Sequence, residues 1–146
     1  MLNVNHGYVG TRERWEWVAD AREAVAHLNA AGYLVFVVTN QSGIARGMYG
    51  LPEFERLMAW VSDDLATVGG RFDAVYLCPH GPDEGCECRK PLPGMILRAM
   101  REFPVRREGS FLVGDSLTDL EAAEAAGIPG HLFSGGSLRD FILAVA

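Results

Sequence analysis

Leu34-Val-Phe-Val-Val-Thr-Asn-Gln-Ser-Gly-Ile-Ala-Arg-Gly47 opens with five consecutive apolar residues and then turns polar at a single step. A short, uninterrupted apolar run rich in β-branched residues is the pattern of a strand buried on both faces, as in a parallel sheet. The polar tail after it falls where such a strand leaves the sheet. Before the run, Ala24, Val25, Leu28 and Ala31 recur at helical spacing within residues 20–31, and Gly32 suits a helix end. After it, Pro52 opens a second helical pattern that carries Phe54, Leu57, Met58, Val61 and Leu65 on one face and closes at Gly69-Gly70.

The alternation continues along the chain. Residues 74–77 form a short expected strand, 95–103 a helix, 110–113 a strand, 117–126 a helix stopped by Gly127, 130–133 a last strand, and 137–145 a final helix. Residues 1–18 have no clear period and read as a loop. Strands alternating with helices imply an α/β domain, an open parallel sheet with helices on both faces. In such sheets ligands gather outside the carboxyl ends of the strands. Thr39-Asn40, residues 78–90 and Gly114-Asp115 all follow strands, so one crevice should receive all three.

With 146 residues, 49% of them hydrophobic, the chain can form one domain with a sizeable core. A net charge of −6 argues against nucleic acid or a membrane surface as partner. The same charge means an anionic substrate must be met by local cations. The apolar runs are too short to span a bilayer, and Met-Leu-Asn-Val-Asn-His-Gly has neither a basic nor an apolar leader character. A cytoplasmic location is expected.

All three cysteines lie in Cys78-Pro-His-Gly-Pro-Asp-Glu-Gly-Cys-Glu-Cys-Arg-Lys90. Cys78, His80, Cys86 and Cys88 give C-x-H-x5-C-x-C. A one-residue gap puts both members of each pair on the same side of extended backbone. Two such pairs facing each other across a Gly/Pro turn make an S3N set suited to structural zinc, with no position left for water or substrate. Burial alone does not explain Cys86 and Cys88, whose neighbours are almost all polar, and three cysteines cannot all pair as disulfides.

Thr39, beside a glycine-bearing turn, suits phosphate oxygens, although Thr and Asn also commonly end strands. Lys90 stands two residues from Cys88, so a metal there would turn a loop lysine into a placed charge. Asp115, after a strand and a glycine, is placed to bind magnesium beside a phosphate, or to enter a helix. Ser116 and Asp119 form an S-x-x-D pattern, which assigns Asp119 to helix capping first and to the site second. Arg46 could meet substrate or solvent.

The ordered set T-N-Q-S-G-I-A-R-G, C-x-H…C-x-C-R-K-P and G-D-S-x-x-D resembles the haloacid dehalogenase (HAD) superfamily of phosphatases. Within it, the resemblance is to the zinc-containing D-glycero-D-manno-heptose 1,7-bisphosphate phosphatases and the related histidinol-phosphate phosphatases, and it covers essentially the whole chain as one HAD-like domain. Ser42-Gly-Ile-Ala-Arg-Gly47 is more similar to the heptose branch. The resemblance implies a Rossmann-like sheet and a cytoplasmic, magnesium-dependent phosphatase of a small sugar phosphate, monomeric when full length. It implies that Thr39 and Lys90 hold the transferring phosphoryl group, Asp115 binds magnesium, and Cys78, His80, Cys86 and Cys88 bind zinc. Substrate contacts are expected from Asn5, His6, Gly7, Tyr8, Asn40, Gln41, Ser42, Arg46 and Arg89.

The chain departs from the family at one place. The D-x-D-G-[TV]-[IL]-N motif supplies the family's nucleophile and general acid, and only its tail aligns, with Met1-Leu2-Asn3. Both aspartates and the central strand that carries them are expected upstream of Met1. Histidinol phosphate is the alternative substrate. A binding module that holds phosphate ligands or protein without turnover is the alternative for the chain as it stands.

Overall fold

The computed structural model describes residues 1–4 and 12–146. After a 3-10 turn at Arg12–Arg14, the elements run α1 (Ala21–Ala30), β1 (Phe36–Asn40), α2 (Ser42–Ala45), α3 (Leu51–Ala66), β2 (Ala74–Cys78), α4 (Gly94–Glu102), β3 (Leu112–Gly114), α5 (Leu117–Ala126), β4 (Gly130–Leu132) and α6 (Leu138–Val145). The order is the expected α/β alternation.

Helices form where an apolar face and a stop signal coincide. Ala21, Ala24, Val25 and Leu28 are the buried face of α1, and Gly32 follows it at φ +92°, a left-handed conformation that costs glycine little. Phe54, Leu57, Val61 and Leu65 line the inner face of α3. Gly50 N–H donates to the Glu53 carboxylate at 2.9 Å, which satisfies one free donor at its start.

The strands pair in parallel but form two separate ladders. β1 runs beside β2 from Phe36↔Ala74 to Asn40↔Cys78, and β3 beside β4 from Leu112↔Gly130 to Gly114↔Leu132. Among the described residues no strand joins β1 to β3. Between these elements lies a cavity of about 890 Å³, lined by residues 34–42 on one side and 108–115 on the other. Side chains of α1, α3 and α4, among them Leu28, Leu57 and Ile96, also line it. Both facing strands therefore present an unpaired edge to an apolar slot, the place where the sequence expects a central strand.

This slot corrects one expectation. The run at 34–38 reads as a strand buried on both faces, yet every residue of β1 is only half-buried. The strand also begins later and ends later than the apolar run, so Thr39 and Asn40 belong to it. Val35 is held differently, donating to the Asp73 carboxylate at 2.7 Å and accepting from Asp73 N–H at 2.8 Å. A second correction concerns the N-terminal loop. Asn3 and Trp17 form an antiparallel bridge, with Val4 N–H to Glu16 C=O at 2.7 Å and Val18 N–H to Leu2 C=O at 2.8 Å. Trp17 Nε1 then donates to Asp64 on α3 at 2.7 Å. Among the described residues no helix is long and apolar enough to cross a membrane.

Candidate active site and metal centre

The carboxyl ends of β1 and β3 meet at the mouth of the slot. Thr39, Asn40, Gln41, Ser42, Lys90, Gly114, Asp115 and Asp119 all line it there, together with Met1, Leu2 and Asn3. The convergence expected from strand ends is thus present.

Lys90 is the most firmly held of these groups. Its ammonium donates to Asp119 Oδ1 and to the Val38 carbonyl, the latter at 3.3 Å. Its side chain is only 14% exposed and that of Asp119 7%, so the pair is shielded from water and salt. The Lys90 backbone is fixed as well. Asn40 Oδ1 accepts from Lys90 N–H at 3.0 Å, and Asn40 Nδ2 donates to Lys90 C=O at 3.3 Å. Both ends of the Asn40 amide are therefore occupied by the lysine loop.

Asp119 divides its oxygens between two tasks. Oδ2 accepts from the N–H groups of Asp115 and Ser116 at 3.1 and 3.2 Å and from Ser116 Oγ at 3.1 Å, which caps α5. Oδ1 takes Lys90. Burial pushes the Asp119 carboxyl up, but the Lys90 ammonium and the hydrogen bonds outweigh it and hold the group below the usual carboxylate range. Gly114 makes this approach possible, because a Cβ there would lie 2.4 Å from Asp119. Reading S-x-x-D as a cap is correct for Oδ2, and it misses Oδ1. The sequence holds no signal for that second role, since Lys90 and Asp119 are 29 residues apart.

Asp115 is exposed just past the end of β3 and lines the slot. The α-ammonium of Met1 interacts with Asp115, Lys90 and Asp119, and burial lowers its pKa. Ser42 begins α2. Arg46 is exposed at the end of that turn. Arg89 Nη1 donates to His80 C=O at 3.3 Å, so its guanidinium braces the cysteine loop. Asn5, His6, Gly7 and Tyr8 lie outside the described residues.

In the cysteine loop, Cys78 Sγ lies 3.4 Å from His80 Nδ1, 3.5 Å from Cys86 Sγ and 2.8 Å from Cys88 Sγ. Cys88 Sγ is 3.4 Å from His80 Nδ1, and the four ligand atoms all lie within 4.8 Å of one another. Tetrahedral ligands around zinc stand about 3.5 Å apart, so the donor set fits the ion in kind, number and spread. The crowding shows in the thiols. Burial and the neighbouring sulfurs push Cys78 up to about 12. Burial also opposes the Cys86 thiolate, but the Arg89 N–H and the neighbouring thiols bring Cys86 down to about 6. A positive φ of 70° at Gly85 turns the loop back, and the Gly94 backbone packs directly beneath it.

The chain that folds in this way is similar to known proteins over nearly its whole length. The HAD-hydrolase-like family model matches residues 87–142. The D-glycero-β-D-manno-heptose-1,7-bisphosphate 7-phosphatase of Rhodopseudomonas palustris is 47% identical, over 99% of this chain and 84% of its own. The protein of the same name from Yersinia pestis is 42% identical, over 87% of this chain and 71% of its own. The chain belongs to the heptose-bisphosphate phosphatase family of HAD hydrolases. The crystal structure of D,D-heptose 1,7-bisphosphate phosphatase from B. bronchiseptica, complexed with magnesium and phosphate, superposes with a TM-score of 0.88 at 38% identity. It covers all of this chain, which in turn spans 82% of it.

Proposed function

We propose that this chain forms the phosphate-binding half of a D-glycero-β-D-manno-heptose 1,7-bisphosphate phosphatase site. The observation that carries the reading is that Lys90, bonded to Asp119 and held by Asn40, lines one slot with Thr39 and Asp115. The names of the relatives support the heptose substrate.

Each group has a task that its surroundings fit. The Lys90 ammonium, fixed by Asp119 and Val38, attracts the dianionic phosphoryl group that the net charge of −6 would otherwise repel. The Thr39 hydroxyl donates to a second phosphoryl oxygen. Asp115, exposed just past β3 and lining the slot, is the ligand this chain offers to magnesium; when bound, that ion would neutralise charge on the phosphoryl oxygens. Arg46, Arg89, Asn40, Gln41 and Ser42 would contact the sugar, and the family resemblance adds Asn5, His6, Gly7 and Tyr8. Asn40 acts there through its grip on Lys90. The S3N loop holds zinc as a brace, since four protein ligands leave no open position.

The nucleophile is an aspartate on a strand seated in the slot. Its carboxylate oxygen attacks phosphorus, the bond from phosphorus to the sugar oxygen breaks, and an aspartyl-phosphate forms. The second aspartate of the motif gives the leaving oxygen its proton. Water then attacks the acyl phosphate and releases inorganic phosphate. Residues 1–146 contain no Asp-x-Asp-Gly, so neither aspartate is among them.

The test compares the 146-residue chain with the same chain joined behind a strand that ends in Asp-x-Asp-Gly. The joined form should release phosphate from the heptose bisphosphate in a magnesium-dependent way and faster than from histidinol phosphate. The shorter form should bind inorganic phosphate and release none. A joined, folded form that is inactive on every sugar phosphate and bisphosphate would sink the reading.

A further inference from the structure

We propose that Tyr49 is a positioning residue for the Thr39 hydroxyl and acts through Gln41. The inference rests on the phosphatase reading and deepens it.

Gln41 Nε2 donates to Thr39 Oγ1 at 2.8 Å, and the Tyr49 hydroxyl donates to Gln41 Oε1. A primary amide has one donor end and one acceptor end, and a rotation of half a turn exchanges them. The phenol proton settles which way it points. With Oε1 facing Tyr49, the NH2 group faces Thr39 and occupies a lone pair on its hydroxyl oxygen. The Thr39 proton is then left to point elsewhere, and the residue lines the mouth of the slot. If the amide turned over, Oε1 would accept the Thr39 proton. The hydroxyl would then present lone pairs to a phosphate oxygen, which is repulsive. Tyr49, Gln41 and Thr39 thus form a chain of donors that all point one way, toward an anion.

Both supporting residues are anchored by backbone. Gln41 N–H donates to Cys78 C=O at 2.7 Å, which continues the β1–β2 ladder one step beyond the strand. Tyr49 lies between two fixed points, Met48 N–H on Gly43 C=O at 2.9 Å and Gly50 N–H on Glu53 at 2.9 Å. Tyr49 itself lines the slot near its mouth.

The test uses the full 146-residue chain with zinc and magnesium, and inorganic phosphate as the probe, titrated by calorimetry. Tyr49→Phe removes one oxygen and should weaken phosphate binding roughly tenfold, the scale of one hydrogen bond to a charged acceptor. Thr39→Val should weaken it more. In the Thr39→Val background, Tyr49→Phe should have no further effect, which a merely structural role for the ring would not produce. Gln41→Leu should behave as Tyr49→Phe does in both backgrounds, and serves if the tyrosine variant fails to fold. An unchanged affinity in Tyr49→Phe, or an equal loss with and without the Thr39 hydroxyl, overturns the inference while leaving the phosphatase reading in place. Absence of phosphate binding by the unaltered chain overturns both.

Discussion

The Asn40 side chain and the Lys90 backbone hold each other through two hydrogen bonds, at 3.0 and 3.3 Å, across 50 residues of sequence. The amide replaces a partner strand for one step, so the lysine loop is docked onto the end of β1 as if it were a strand. Lys90 owes its position to this as much as to Asp119.

Asn40→Asp is expected to keep the bond from Lys90 N–H and to lose the one to Lys90 C=O, where a carboxylate oxygen would face a carbonyl. A cost of about 1–2 kcal/mol follows from one half-buried carbonyl left unpaired. Urea denaturation measures it. Phosphate affinity should fall further than in a surface control of equal stability, because the lysine moves with its loop.

Asp119→Asn leaves the Lys90 ammonium in a nearly closed site without its counter-ion. The expected loss is about 3 kcal/mol, the scale for removing one partner of a buried pair. The pH dependence has a definite sign. The folded carboxyl titrates below its unfolded value, so its contribution is present above about pH 4 and is lost as pH falls through the depressed value. Melting temperatures between about pH 6 and pH 2.5 should therefore drop less steeply in the Asn variant than in the unaltered chain.

Zinc should bind one ion per chain, countable by atomic absorption. Binding must displace protons from Cys78 and Cys88, both raised above the ordinary thiol value, so apparent affinity should rise with pH. Chelation should lower the melting temperature. It should also weaken phosphate binding, although zinc touches no substrate, because Cys88 is two residues from Lys90. Full phosphate affinity in metal-free protein would contradict the bracing role.

Gly94→Ala tests the same brace from below. A Cβ at this position would lie 2.4 Å from the Glu87 carbonyl oxygen and 3.1 Å from Cys88 Cα, and backbone cannot swing aside as a long side chain can. A destabilisation of about 1–3 kcal/mol is expected from this overpacking. Zinc affinity should fall with it, even though no ligand has been altered. Thermal melting with and without chelator separates the two effects.

The sequence by itself determined the element order, the helix faces and the metal loop. Those depend on near neighbours: Ala24, Val25 and Leu28 share a face by helical period, and Cys86 and Cys88 share a side by strand period. Thr39, Lys90 and Asp115 could also be placed together, because parallel strands put their following loops at one end of a sheet. Tertiary structure alone decided the rest. Only in the fold does Asp119 give one oxygen to its own helix and the other to Lys90, because the approach depends on the missing side chain of Gly114. Only there do the Asn40 side chain and the Lys90 backbone clamp each other, and Gln41 lie between Tyr49 and Thr39. The half-buried state of β1 belongs to the same class. Hydrophobicity in the sequence reports what a strand is built to pack against, whereas burial reports what lies beside it, and beside β1 lies a slot shaped for another strand.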